Sequence, residues 1–227
     1  MKKISVIVTC FDLEDYLDET IDSIVQQVCH PFEVILVHDG CQGKPKAYDF
    51  VTTVFCPRNR GVAKARDLGF KMSTGDYVVF FDGDDVMPLN YLMEMDKVEA
   101  DVIYPSCILW AGWGNSKMEN IIHKAPSKIT MSLMLKQNEV LMPSLFKREW
   151  YIMVGGFDNK LKMFEDYDFW LKCLEKGATF KKSGAILQYR QRSKSRNHQS
   201  DAIKAETHQK IVEKFTLTIA KDSKVKL

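Results

Sequence analysis

Residues 77–88 read YVVFFDGDDVMP. Five strand-forming residues, Tyr77–Phe81, run straight into three carboxylates within four positions, Asp82, Asp84 and Asp85. Acids this close repel one another, and withdrawing them from water at the mouth of an apolar strand is costly unless something cationic offsets it. A divalent cation is the natural compensation. Mg²⁺ or Mn²⁺ takes hard oxygen ligands and is often held by one or two carboxylates, with phosphate oxygens completing the shell. The competing reading is an acidic turn that caps the following helix, with Asp85 at the helix start.

Working outward, apolar runs and helical periodicities alternate. Strands are expected at 4–9, 32–37, 51–55, 77–81, 102–109, 141–146 and 185–189. Helices are expected with Leu13, Leu17, Ile21, Ile24 and Val28 in one stripe behind an Asp12 N-cap, and at 62–72, 89–99, near 131–135 and at 164–177, closing on Gly177. A polar, amphipathic helix is expected at the C-terminal end. The segment 110–116, WAGWGNS, reads as a loop. Strands alternating with helices predict a mainly parallel sheet covered on both faces, with ligands beyond the C-terminal strand ends. Thr9, the group His38-Asp39-Gly40 and the D-x-D acids then share one rim.

Bulk composition fits this picture. The chain has 227 residues, 45% of them hydrophobic and 27% charged, as in an ordinary globular domain. A net charge of +2 provides no whole-molecule attraction to nucleic acid or acidic membranes. The apolar run after Lys2 and Lys3 is too short for a signal sequence, and no stretch approaches the about 18 apolar residues of a membrane span. Cytoplasmic placement is expected, either free or peripheral to the inner face of a membrane. Six scattered cysteines (10, 29, 41, 56, 107 and 173) form no C-x-x-C pair, so reduced, mostly buried thiols are expected, with neither a zinc site nor a thiol nucleophile.

Other segments carry candidate chemistry. The carboxylate of Asp39 suits the imide N–H of uracil or the N1–H and amino group of guanine, with the Thr9 hydroxyl one strand away. Arg66, on the first turns of a helix opened by Asn59 and Gly61, offers fixed donors to a base or phosphate, or is an ordinary surface arginine. Glu165 and Asp166 open a helix among aromatic residues, where a carboxylate suits either general-base work or helix-start stabilisation. The segment RQRSKSRNH (190–198) reads as a solvated tail, a nucleic-acid patch, or a lid whose Arg190, Arg192, Lys194 and Arg196 neutralise a diphosphate. Trp110, Trp113 and Trp170 are candidates for stacking on an acceptor, with core or loop anchoring as the competing role.

Five pieces in order, SVIVTCFDLEDYLDETIDSIVQQ, VHDG, NRGVAKARDLGF, GDYVVFFDGDD and VGGFDNKLKMFEDYDFW, resemble the family 2 glycosyltransferases of the GT-A fold. The resemblance spans about 4–190. It implies a Rossmann-like, mixed and mainly parallel α/β sheet flanked by helices in one domain at 1–190. Residues 1–105 would form the nucleotide-sugar and metal half and 106–190 the acceptor and catalytic half, followed by a basic lid and helix at 191–227. It also implies inverting sugar transfer from a nucleotide-diphosphate donor, a UDP-sugar being favoured, with Mg²⁺ or Mn²⁺. Carried over by position, Thr9, Asp39 and Arg66 would hold the nucleotide, with Asp82 near the ribose. Asp84 would ligate the metal, with Asp82 and His198 as further candidate ligands. Asp166 would be the base, and Glu165 would place hydroxyls beside it. Two positions depart from the family: His38 stands where an aspartate is usual, and Arg192 where a histidine often lies. A glycan, a lipid-linked sugar, a protein or a modified nucleic-acid base are all compatible acceptors, and a homodimer is compatible with the sequence. A haloacid-dehalogenase-like phosphatase and a non-catalytic nucleotide-sugar binder are the alternative readings.

Overall fold

The computed structural model describes residues 1–41, 46–110, 121–161, 163–191 and 201–225. Four parallel strands form its first half: β1 (Ile4–Cys10), β2 (Glu33–Asp39), β3 (Val51–Cys56) and β4 (Tyr77–Asp82), in the order β3-β2-β1-β4. Helices α1 (Glu14–Val25) and α2 (Val62–Met72) make crossovers, and α3 (Tyr91–Asp96) leads to β5 (Val102–Trp110).

The second half completes the sheet in mixed sense. After β6 (Ile121–His123) and α4 (Met131–Met134), the short β7 (Leu145–Lys147) inserts antiparallel to both β4 and β5. Helices α5 (Arg148–Met153) and α6 (Glu165–Glu175) precede β8 (Phe180–Arg190), which runs parallel along β5. Helix α7 (Asp201–Val225) follows. The sheet order is β3-β2-β1-β4-β7-β5-β6, with β8 on β5.

Every residue of β1 is buried, which is why it reads as an unbroken apolar run rather than an alternation. Successive side chains enter opposite cores. Ile4, Val6 and Val8 pack with Leu17, Ile21 and Ile24 of α1 and with Tyr91 and Leu92 of α3. Ile7 joins the larger core under α2, α5, α6 and α7. Gly69 lets α2 lie close on the sheet, because a Cβ there would come within 2.3 Å of Ile7 Cγ2. Rings of Phe80, Phe146, Tyr151, Phe157, Phe169 and Trp170 interlock at the centre of that core.

Helix α7 docks by Ile211 and Phe215, both buried, and by His208 stacked on Tyr167 at 5.4 Å. Lys214 and Lys172 both pair with Asp168, which has no exposed surface. Phe215→Ala is expected to cost about 3–5 kcal/mol by cavity formation, read as a lower urea midpoint with earlier proteolysis within α7.

Several expectations need correction. Asp12 does not cap α1: the cap position is Leu13, and Asp12 has a left-handed φ of 55°. The helix ends at Val25, leaving Val28 exposed. The strand expected at 141–146 is observed only at Leu145–Lys147, because Ser144 turns back on the Leu141 carbonyl. The 89–99 helix shrinks to Tyr91–Asp96, whereas β8 begins five residues before the expected start. Neither β6 nor α5 is anticipated from periodicity.

Candidate active site

Parallel pairing sets the rim. Thr9 lies beside Asp82 across β1 and β4, with Thr9 Oγ1 3.5 Å from Asp82 Oδ1. Asp39 ends β2, and its buried carboxylate accepts the amide N–H groups of Arg60 at 2.9 and 3.0 Å and of Gly61 at 2.9 Å. It therefore anchors the chain entering α2, from which Arg66 extends toward the rim.

Arg66 is buried and ties the two halves of the chain together. Nη2 donates to Asp82 Oδ1 and Nη1 to Glu165 Oε1, each at 2.9 Å, while the guanidinium lies 5.8 Å from the Phe157 ring centre. Burial works against its charge, but Asp82, Glu165 and Asp166 outweigh that and raise its pKa. The structure thus places this arginine on carboxylates rather than extended toward a ligand.

Helix α6 opens after Phe164, held in a left-handed conformation at φ 61°. Glu165, Asp166 and Asp168 occupy its first turn, where the helix dipole favours negative charge. Burial, followed by the charge of Glu165, raises the Asp166 pKa to about 6, with Arg66 opposing. Asn138 Nδ2 donates to Asp166 Oδ2 at 3.0 Å. No sequence signal pointed to Asn138, which meets the acid only through the fold.

The acidic turn is pinned from both sides. Gly83 N–H donates to the Thr9 carbonyl, and Val86 forms a two-way backbone bridge with Gln188 of β8. From α1, Thr20 donates to the Asp85 carbonyl and Ser23 accepts from Met87 N–H. Gln27 spans the Met87 and Pro88 carbonyls and the Leu92 N–H. Thr20 and Ser23 lie on α1, and Gln27 follows just beyond its end.

Asp84 is buried at the rim, and Asp85 is deeper still. Asp85 Oδ1 accepts the Arg190 N–H at 2.8 Å, while Oδ2 is buried without a hydrogen-bond partner among the described residues. Burial, then Asp84 and Asp82, push the Asp85 pKa well up. Asp85 is not a helix-start acid, since α3 begins only at Tyr91. Asp82 and Asp84, acids at one strand end, are the residues that would hold a hard divalent cation.

Arg190 lies inward rather than over the rim. Its Nε donates to the Asp84 carbonyl at 2.6 Å, Nη2 pairs with Glu19, and its guanidinium lies 5.0 Å from the Tyr16 ring centre. Trp170 is wholly buried against Phe146 and Phe169, a core residue rather than an acceptor platform. Trp110 ends β5 by its backbone. Trp113, Arg192, Lys194, Arg196 and His198 lie outside the described residues.

One cluster went unforeseen. Cys10, His38 and Cys41 bring two sulfurs and an imidazole nitrogen within 4.8 Å of one another. Scanning for C-x-x-C missed it because its local trace is H-x-x-C, completed by a cysteine from the neighbouring strand.

The acids gather at the C-terminal strand ends, where ligands bind in open α/β sheets, and the fold is of the GT-A class. Comparison with known proteins agrees. The sequence profile described as Glycosyl transferase family 2 matches residues 5–110. An uncharacterized glycosyltransferase of Haemophilus influenzae is 29% identical over 184 residues, 76% of this chain and 62% of that protein. A second one from the same organism is 30% identical over 193 residues, 77% of this chain and 73% of the relative. The crystal structure of S. aureus TarS 1–349 in complex with UDP matches with a TM-score of 0.70 at 19% identity, covering 95% of this chain and 65% of that one. The chain belongs to glycosyltransferase family 2. It spans less than two thirds of the first Haemophilus relative and of the TarS chain. Among the described residues, no helix is long and apolar enough to cross a membrane.

Proposed function

We propose that this chain transfers a sugar from a nucleotide-diphosphate donor, favoured to be a UDP-sugar, to an acceptor hydroxyl with inversion. The observation that carries this reading is the Arg66 bridge. It sets the end of the D-x-D strand beside the Glu165-Asp166 pair, although the two segments are about eighty residues apart. A donor site and a proton acceptor are thereby brought to one place. The TarS structure containing UDP supports the choice of base.

In this reading the diphosphate lies over Asp82 and Asp84, and the nucleotide extends toward Thr9 and Asp39. Asp39 holds the approach to α2 and offers its remaining lone pairs to the base. Asp84 with Asp82 would hold Mg²⁺ or Mn²⁺, which would supply neutralisation of the leaving diphosphate. Asp166 takes the proton of the acceptor hydroxyl as its oxygen bonds to the anomeric carbon and the bond to the diphosphate oxygen breaks on the opposite face. Asn138 holds Asp166 by its hydrogen bond, Glu165 places hydroxyls beside it, and the raised pKa of Asp166 suits a base working near neutrality.

Nucleotide sugars screened with Mn²⁺ by thermal shift test the donor assignment, since a ligand at a hundred times its Kd adds about 2.7 kcal/mol of apparent stability. Asp84→Ala is expected to abolish the metal-dependent part of that shift while the chain remains folded. An unaltered metal-dependent shift in Asp84→Ala would remove it from the metal site.

A further inference from the structure

We propose that Cys10, His38 and Cys41 form a binding site for a zinc-class divalent cation, separate from the acidic rim. His38 is buried and stacks on Phe55 with ring centres 5.2 Å apart. Its Nδ1 lies 3.2 Å from Cys41 Sγ, and the two sulfurs are 3.7 Å apart. A tetrahedral centre with Zn–S of about 2.3 Å and Zn–N of about 2.05 Å places its sulfurs about 3.8 Å apart and sulfur and nitrogen about 3.6 Å apart. The separations found already lie within about 0.5 Å of both values.

The backbone builds this convergence. Cys10 and His38 are direct cross-strand partners at the ends of β1 and β2. Gly40, at φ +82°, turns the chain so that Cys41 returns over Cys10. A Cβ on Gly40 would meet Asn59 N at 2.2 Å, so only glycine permits that turn. His38 turns Nδ1 to Cys41, while its Nε2 is buried with no partner among the described residues. A disulfide between the two sulfurs would use no nitrogen donor at all. A soft-to-borderline cation uses all three groups, displacing the two thiol protons to solvent.

The test uses the full chain, reduced with a phosphine and stripped by a chelator. Titration of Zn²⁺ against a chromophoric chelator should show one equivalent bound per chain, and Co²⁺ should give thiolate charge-transfer absorption with intense tetrahedral d–d bands. Cys41→Ser, at a partly exposed position, should bind Zn²⁺ at least tenfold more weakly, and His38→Asn should do the same. Asp84→Ala should bind Zn²⁺ as the native chain does, which separates this site from the donor site. Substoichiometric binding, or native affinity in folded Cys41→Ser and His38→Asn, overturns the proposal. So does a Cys10–Cys41 disulfide forming in air with one equivalent of Zn²⁺ present.

Discussion

Asp166→Asn is expected to lower sugar transfer by about 10²–10⁴-fold, the range for a positioned general base, while donor binding stays native. The substitution keeps the side-chain shape and an oxygen for Asn138 to donate to, so the loss reports on proton transfer rather than folding. A base acts only when ionised. With its pKa raised to about 6, activity in the native chain should therefore fall as pH drops below that value. The residual activity of Asp166→Asn should lack this limb. Both are read from initial rates across pH at saturating donor, with donor binding followed by calorimetry. Transfer by Asp166→Asn at the native rate would assign the base elsewhere.

Arg66→Met should produce a large loss of stability. The substitution retains an unbranched apolar stem beside Phe157 but leaves Asp82 and Glu165 without their shared cation in a buried site. Breaking a buried pair by removing one partner costs about 3–5 kcal/mol, measurable as a lower urea midpoint at neutral pH. Arg66→Lys should recover only part of this, because an ammonium lacks the rigid fork that reaches both acids at 2.9 Å. Since Arg66 lowers the Asp166 pKa, the acid limb of the pH–rate profile should also move upward in Arg66→Met. A loss below about 1 kcal/mol, typical of exposed pairs, would show that the bridge is not structural.

The parallel half of the fold was legible in the sequence because β1, β2 and β4 are buried on both faces and stand out as apolar blocks, Ile4–Thr9 and Tyr77–Phe81 above all. The mixed half was harder to read. β7 has three residues, and all three residues of β6 are exposed, so neither leaves a periodic trace. In the site, acids at strand ends and at the start of α6 were visible as residue types. What they touch was not. Arg66 reads as a nucleotide contact when its helix is taken alone, and only the arrival of Glu165, 99 residues later, turns it into a bridge. Arg190 reads as part of a basic run, yet the end of β8 directs it inward to the Asp84 carbonyl. Cys10 and Cys41 look scattered because their meeting depends on cross-strand register and on a glycine turn.

The insertion of β7 between β4 and β5 also has a consequence for how the chain is made. During synthesis β4 is complete at Asp82, but its neighbour on that side, Leu145–Lys147, emerges only some sixty residues later. Until then the strand that ends at Asp82 is an open edge, and the aromatic core beneath it lacks Phe146, Phe169 and Trp170. Open apolar edges invite pairing with other chains. The first hundred residues, which hold most of the family's recognisable motifs, therefore depend on the second half to close their sheet, and the nascent chain is most exposed to misassembly just after its most recognisable part has been built.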